Sequence, residues 1–199
     1  MDKIKLVAIL RGIQPAEAAD HIETLINAGF RYIEIPLNSP DWQQSIPAMV
    51  RQFGERAMIG AGTVLKVEQV DFLAEAGAKL IVTPNTAPAY RARDKGMRGV
   101  RRLRDGLRGV FLARWMPGRQ WLKIFPSSAF GADYIRALKA VLPPEVPVLA
   151  VGGVTPENLA TWIQAGCAGA GLGSDLYRAG QAVERTREQA ERFISASKS

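Results

Sequence analysis

The chain has 199 residues, of which 47% are hydrophobic and 23% charged, a composition typical of one well-buried globular domain. The net charge of +7 comes from one segment, because residues 90–119 alone carry +8 and leave −1 for the rest of the chain. A single cysteine, Cys167, excludes an internal disulfide and a cysteine-based zinc site. The single histidine, His21, would have to belong to any Ser-His-Asp triad. We expect both to be packing residues.

The first apolar run along the chain, at 6–10, is too short for a signal peptide or a membrane span. We therefore expect a cytoplasmic protein that does not interact with membranes. No cluster of His, Asp and Glu has the spacing of metal ligands, so we expect a mechanism without a metal ion.

A helix signal, an Ala-Gly pair and a short apolar strand recur three times in chain order. Glycine directly after a helical run is the residue expected at a left-handed helix cap. The repeat therefore predicts alternating helices and parallel strands. The predicted helices are 16–27, 66–75 and 156–164, and the third is expected to begin with Thr155 as N-cap and Pro156 at its first position.

Seven short apolar runs are predicted to be strands, and residues 85–120 leave room for an eighth. Eight units of this length predict a compact single-domain (β/α)8 barrel. An open doubly wound sheet is the alternative, but the Gly-x-Gly-x-x-Gly motif expected after its first strand is missing. The predicted strands are 5–10, 32–36, 57–62, 80–84, 121–125, 147–152 and 168–173.

Lys123 interrupts the apolar run WLKIF, where an unpartnered ammonium is costly to bury. Aligning the repeats gives it the same position on its strand as Glu34 has on the second strand. Both side chains are then expected to point into the barrel near its catalytic end. Burial lowers the pKa of a lysine, so Lys123 is a predicted Schiff-base nucleophile and Glu34 a proton shuttle beside it. A salt-bridged or snorkelling lysine, with Glu34 as a structural partner, is the alternative.

Polar groups and glycines follow several of the other predicted strands. Arg11 is placed to clamp a carboxylate and Thr63 to make a polar contact, although either is also an ordinary residue for a strand end. Glycine turns in VGGVTPENL (151–159) and GLGSDLY (171–177) follow the last two strands. Barrels often bind phosphate at this place, on exposed backbone N–H groups and helix N-termini.

The segment 88–119 does not fit the repeat. An Ala-Gly tag is expected before QWLKIF, yet PGR (117–119) stands there. The expected helix end Ala-Leu-Asp-Ala-Gly-Ala can be encoded GCG CTG GAT GCC GGG GCG C, and reading this one base along gives Arg-Trp-Met-Pro-Gly-Arg, which is the sequence of 114–119. We therefore hypothesise that 88–119 is a frame-shifted stretch that compromises the fifth strand and the helix after it.

Taken together, the motifs of the chain resemble those of the class I 2-keto-3-deoxy-6-phosphogluconate/galactonate aldolase family. The resemblance covers about 1–87 and 120–199, and the segments EIPLNSP and KIFPSSAFG are most similar to the galactonate branch. The family is a (β/α)8 barrel that usually forms a homotrimer. Residues 88–119 differ from the family pattern, in which this region carries a fifth strand ending in Pro-Gly. The motifs that carry the resemblance are AILRG, EIPLNSP, IGAGTVL, TPN, LKIFPSSAFG, AVGGVTPENL and GLGSDLY.

The resemblance implies cofactor-free cleavage of 2-dehydro-3-deoxy-6-phospho-D-galactonate to pyruvate and D-glyceraldehyde 3-phosphate. It implies that Lys123 forms the Schiff base and that Glu34 is the general acid/base. Arg11 and Thr63 would contact the keto-acid end of the substrate. The phosphate would be held by Gly152, Gly153, Gly173 and Ser174.

The sequence is also compatible with several other functions. The substrate could be the C4 epimer, 2-keto-3-deoxy-6-phosphogluconate, and the chain could be a catalytically impaired relic of the family. A phosphosugar isomerase would turn over without a trappable imine. A nucleic-acid-binding role for the Arg-rich stretch would give binding that falls steeply with salt, but this stretch lacks aromatic interleaving and the rest of the chain is near neutral.

Overall fold

The computed structural model describes residues 4–83 and 121–198 in full and the backbone of residues 101–105. Its strands all run parallel and pair in chain order, and the eighth returns to pair with the first, so that the ring closes. The α/β class and the parallel sheet are confirmed. The strands are β1 (Lys5–Ile9), β2 (Tyr32–Pro36), β3 (Met58–Gly62), β4 (Leu80–Thr83), β5 (Arg101–Asp105), β6 (Trp121–Ile124), β7 (Val148–Val151) and β8 (Gly169–Leu172).

Six helices lie within the described residues, and the first, third and fifth follow the predicted helical runs. Left-handed glycines come directly after these three runs, at Gly29 (φ 119°), Gly77 (φ 77°) and Gly166 (φ 104°), as the Ala-Gly repeat predicts. The helices are α1 (Pro15–Ala28), α2 (Trp42–Phe53), α3 (Val67–Glu75), α4 (Ser127–Val141), α5 (Leu159–Gln164) and α6 (Val183–Ala196). Gly131 has non-helical torsions and kinks α4.

Alternating residues of each strand divide the core into two parts. One set of side chains packs between the sheet and the helices, as Ile33 and Ile35 of β2 do. The other set forms a small cluster inside the ring, in which the Tyr32 and Trp121 rings meet edge to face at 4.8 Å. Glu34 and Lys123 share the parity of this inner set. The inner cluster closes the ring below them and leaves the carboxyl ends of the strands for a cavity.

The structure corrects the predicted start of the fifth helix. Residues 156–158 form a turn, and α5 begins at Leu159 instead of Pro156. Thr155 nevertheless makes the hydrogen bonds of an N-cap, because its Oγ1 accepts from the Asn158 N–H at 3.3 Å and its own N–H donates to Asn158 Oδ1 at 2.9 Å. Thr155 therefore caps the turn that precedes the helix, while the helix itself begins one turn later than predicted, with Asn158 as its N-cap.

The anomalous segment 88–119 lies outside the described residues except for β5. The backbone of β5 pairs with β4 and with β6, and Asp105 is in register with Lys123. A strand thus occupies the room expected between 85 and 120, while the frame-shift hypothesis itself falls on residues outside the described ranges. Among the helices of the described part, none is both long and apolar enough to cross a bilayer.

Candidate active site

A cavity of about 620 Å³ opens at the carboxyl ends of the strands. Seven of the eight residues predicted for the site line it, and these come from β1, β3, β6, β7 and β8 or from the loops that follow them. The eighth, Glu34 of β2, is buried and is electrostatically coupled to two of the seven. The predicted residues that line the cavity are Arg11, Thr63, Lys123, Gly152, Gly153, Gly173 and Ser174.

Lys123 reaches this cavity from the inner face of β6. Its strand neighbours Leu122 and Ile124 are buried on the other face, whereas Lys123 is partly exposed to the cavity. The Lys123 Nζ lies 5.1 Å from the centroid of the Phe125 ring, within the range of a cation–π contact. The ammonium that seemed misplaced in an apolar strand is therefore solvated by the cavity and faces an aromatic ring.

Glu34 is only 2% exposed, and burial raises the pKa of its carboxyl from 4.5 to about 7. The positive charges of Lys123 and Arg11 act in the opposite direction but are the smaller effect. Among the described residues, no donor contacts Glu34 Oε2. A carboxyl group with a pKa near neutral is present in both protonation states at the pH of most cells, which suits a group that takes up and returns a proton.

Gly62, at the end of β3, makes the room that Glu34 occupies. A Cβ at this position would lie 1.7 Å from Glu34 Oε2, far inside any permitted contact. The motif IGAGTVL therefore has a steric role in the site. Its next residue, Thr63, has a left-handed φ of 54° and lines the cavity.

The loops after β1 and β2 hold each other in place beside Arg11. Arg11 Nη1 donates to Asn38 Oδ1 at 2.9 Å, and the Gly12 N–H donates to Ser39 Oγ at 2.9 Å. The motif EIPLNSP thus supplies more than Glu34, because Asn38 bonds the guanidinium at the rim of the cavity and Ser39 holds the backbone that follows it. A fixed guanidinium is suited to binding a carboxylate.

The glycine turn after β7 packs tightly on the start of α4. Gly152 and Gly153 have φ values of 88° and 72°, which residues with a Cβ rarely adopt. A Cβ on Gly153 would also lie 2.6 Å from Ser128 Cβ. Two adjacent glycines let the backbone line the cavity at this point, and backbone N–H groups without side chains over them are suited to binding phosphate.

Several residues of the cavity were not predicted from the sequence. Phe125 covers Lys123, and Asp175, Tyr177 and Arg178 follow Ser174 in the loop after β8. Tyr177 is buried and its hydroxyl donates to Glu17 Oε1 at 2.8 Å, which ties this loop to α1. The sequence offered one signal for Arg178, which is its positive charge in the same loop as Ser174.

The two residues expected to be packing residues are both buried. Cys167 is a free thiol whose pKa burial raises to about 11, so it is not a reactive thiolate. His21 Nδ1 lies 2.8 Å from Thr186 Oγ1, and burial lowers the pKa of its ring. Within the described ranges, no group of three or more His, Cys, Asp or Glu side chains is arranged to hold a metal ion.

Comparison with known proteins identifies the family of the chain. A family model described as KDPG and KHG aldolase matches residues 1–191. The chain belongs to this family. It is 59% identical over 199 residues to 2-dehydro-3-deoxy-6-phosphogalactonate aldolase of Escherichia coli strain K12, covering 98% of this chain and 95% of that protein.

Solved structures of family members superpose closely on the chain. The structure of native KDPGal has a TM-score of 0.92 and 58% identity, and covers all of this chain and 96% of its own. A cube-shaped protein cage designed by fusing symmetric oligomeric domains contains a chain with the same TM-score and identity, of which 73% is covered. The family resemblance inferred from the motifs is therefore confirmed, and the described fold is that of these aldolases.

Proposed function

We propose that the protein is a class I aldolase that cleaves 2-dehydro-3-deoxy-6-phospho-D-galactonate to pyruvate and D-glyceraldehyde 3-phosphate. The observation that carries the proposal is that Lys123 and the glycine turns line one cavity, while the buried carboxyl of Glu34 is electrostatically coupled to Lys123. The 59% identity to an aldolase named for this substrate supports the choice of the galactonate epimer.

Lys123 is the nucleophile of the proposed reaction. Its neutral amine attacks the C2 ketone of the substrate, and the carbinolamine loses water to give an iminium. This cation accepts the electron pair released when the C3–C4 bond breaks. The chemistry needs no cofactor, because the iminium withdraws electrons as a metal ion does in other aldolases.

Glu34 moves the protons of the cycle. Its carboxylate takes the proton of the C4 hydroxyl, directly or through water, as C3–C4 cleavage releases D-glyceraldehyde 3-phosphate. The protonated Glu34 then returns the proton to C3 of the enamine, and hydrolysis of the iminium frees pyruvate and Lys123. A pKa near 7 suits both steps, because neither protonation state is strongly favoured at neutral pH.

The two ends of the substrate bind different residues of the same cavity in this proposal. The carboxylate of the keto acid binds Arg11, which Asn38 holds in place, and Thr63 contacts the same end. The phosphate binds the glycine turns. Their contacts come from Gly152, Gly153, Gly173 and Ser174.

Reduction with borohydride in the presence of pyruvate tests the proposal directly. A covalent adduct is expected on Lys123, identified by mass spectrometry of the digested protein. Lys123→Ala is expected to lose both the adduct and turnover, whereas Lys198→Ala, which removes an exposed lysine near the end of α6, is expected to keep both. An adduct that forms equally well in Lys123→Ala would contradict the assignment.

We propose a complete (β/α)8 barrel that is one domain over 1–199 and assembles as a homotrimer in the cytoplasm, with no nucleic-acid or membrane partner. The closed order of the strands and the fusion of a relative into a cage of symmetric oligomeric domains support the barrel and the oligomer. The short apolar run at 6–10, which has the length of neither a signal peptide nor a membrane span, supports the cytoplasmic location. Sedimentation equilibrium tests the assembly, with three times the chain mass of 21.7 kDa as the expected result.

A further inference from the structure

A second cavity of about 340 Å³ lies beside the first. Its walls come from the turn after β7, the loop after β8 and one face of helix α6. Ser174, Asp175 and Arg178 line both cavities, whereas the glycines of the two turns line only the first. The second cavity is therefore adjacent to the expected phosphate position and shares Ser174 with it.

Three guanidinium groups and two carboxylates line this second cavity. Arg192 is already paired, because it bonds to Glu157 and also donates to Gln189 Oε1 at 3.3 Å. Arg178 uses its Nε to donate to the Ser174 carbonyl at 2.9 Å. Within the described ranges, Arg185 is paired only with Glu188 at 3.7 Å, and both of these side chains are more than half exposed, so this pair is weak. The charge of Arg185 is thus available to an anion.

Gln189 is the polar group that points to a ligand. Its side chain is 97% buried, since the residue is 3% exposed, and Nε2 has no acceptor within the described part of the chain. A buried donor without an acceptor destabilises the fold unless something supplies one. Only one other side-chain atom among the described residues is orphaned in this way, Glu34 Oε2, and it belongs to the candidate active site.

We propose that the second cavity is an anion-binding site for a small phosphate or carboxylate compound. The anion accepts a hydrogen bond from Gln189 Nε2 and is held by the charges of Arg185 and Arg178. A cavity of 340 Å³ has room for such a compound. The three groups proposed to bind the anion, Gln189, Arg185 and Arg178, are not among the residues assigned to the aldolase reaction.

Binding of radiolabelled inorganic phosphate, measured by equilibrium dialysis, tests the site. Arg185→Gln removes its charge, and Gln189→Met removes the orphaned donor while keeping the side-chain length. Arg187→Gln is the matched control, because Arg187 is exposed on the same helix and does not line the cavity. Phosphate bound at the glycine turns is common to all four proteins and cancels in the comparison.

Wild type and Arg187→Gln are expected to share a binding component whose Kd rises at least tenfold in Arg185→Gln and in Gln189→Met. Phosphate is also expected to raise the Tm of wild type more than that of Gln189→Met, because only a chain that binds the anion is stabilised by it. Identical isotherms in all four proteins, or an equal loss in Arg187→Gln, would overturn the proposal. Arg185→Gln changes a surface side chain and decides the question if Gln189→Met fails to fold.

Discussion

Glu34 shows how a single residue gains its chemistry from its surroundings. The carboxyl is ordinary in solution, and it changes because β2 carries it into a space that Gly62 leaves open. Burial raises the pKa to about 7, although Lys123 and Arg11 draw it down. Desolvation therefore outweighs two nearby positive charges at this position.

The first prediction concerns the stability of the wild type and Glu34→Gln as a function of pH. The Glu34 carboxyl ionises near pH 4.5 in the unfolded chain and near pH 7 in the folded one, so the folded chain holds the proton between these values. Its stabilising contribution is full below pH 4.5 and is lost as the pH rises through 7. Relative to Glu34→Gln, the free energy of unfolding of the wild type should fall by roughly 3 kcal/mol across this interval.

Urea denaturation of both proteins at a series of pH values from 4.5 to 8 measures this difference. The same variant is expected to keep borohydride trapping of pyruvate but to lose turnover, since Lys123 is intact. Parallel stability curves for the two proteins would show that Glu34 ionises normally in the folded chain.

The second prediction tests the space beside Glu34. Gly62→Ala places a methyl group 1.7 Å from Glu34 Oε2, so the carboxylate must move. Because Gly62 has no left-handed φ, the added methyl acts through this contact and leaves the turn itself unstrained. We expect kcat to fall at least 100-fold, measured by coupled assay of pyruvate release, while phosphate binding is unchanged. Full activity in Gly62→Ala would mean that the Glu34 carboxyl can move without a fall in kcat.

At the scale of elements, Ser127 at the start of α4 joins the two strands that carry the site. Its buried hydroxyl donates to the Ile124 carbonyl at 2.8 Å and accepts from the Val151 N–H at 2.9 Å. Ile124 follows Lys123, and Val151 precedes the glycine turn. This hydroxyl therefore adds to the pairing of β6 with β7 in holding the amine near the turn expected to bind phosphate.

The third prediction follows from this bridge. Ser127→Ala leaves the Val151 N–H buried without its partner, so the protein should lose about 1–3 kcal/mol of stability in urea denaturation. Ser128→Ala is the matched control, because Ser128 is exposed and its backbone bond to Gly152 survives, and it should change stability by less than about 0.5 kcal/mol. Equal effects of the two substitutions would contradict the bridging role.

The elements also show what sequence patterns can and cannot predict. Periodicity and the Ala-Gly tags located the seven strands to within a residue or two at each end, because apolar runs and left-handed glycines are local signals. β5 could not be located within 85–120, since RRLRD has neither an apolar run nor alternation. The first residue of α5 could not be predicted either, because Thr155 indicates a cap but not where the regular helix begins.

The site residues that could be predicted from the sequence are those whose polarity differs from that of their neighbours along the chain. Lys123 is a charge in an apolar strand, and the repeat then pointed to Glu34. Arg178, Arg185 and Gln189 lie instead among other polar residues, where a helix facing solvent looks the same as one facing a cavity. Which polar atom lacks a partner depends on packing between distant segments, and spacing along the chain carries no information about it.

On the scale of the whole molecule, closure of the ring brings the first and last elements together. β1 pairs with β8, and α1 packs along α6. Where these helices meet, Thr186 Oγ1 accepts a hydrogen bond from Gln181 Nε2 at 2.7 Å and is also hydrogen-bonded to His21 Nδ1 at 2.8 Å. Burial lowers the pKa of His21. The contribution of the neutral ring to the free energy of unfolding is therefore full above pH 6.5, the ordinary pKa, and is lost as the pH falls below that value.

The fourth prediction tests this closure. Thr186→Val keeps the shape of the side chain but removes the hydroxyl that links His21 to Gln181, and we expect a loss of about 1–3 kcal/mol in urea denaturation at pH 7.5. Thr161→Val, at an exposed position of α5, is the control and should have little effect. A Thr186→Val protein as stable as the wild type would show that the helices hold the ring closed without this bond.

The parallel order of the strands also decides where other molecules can be attached. Each helix returns the chain to the face where the strands begin, and Ile194, near the end of α6, lies against Gly29 at the end of α1. Lys5 and Ala196 therefore lie on the side of the molecule away from the cavity mouth. A surface linker, affinity handle or fused partner joined near either residue leaves the mouth open, so the protein can be immobilised without blocking access to Lys123.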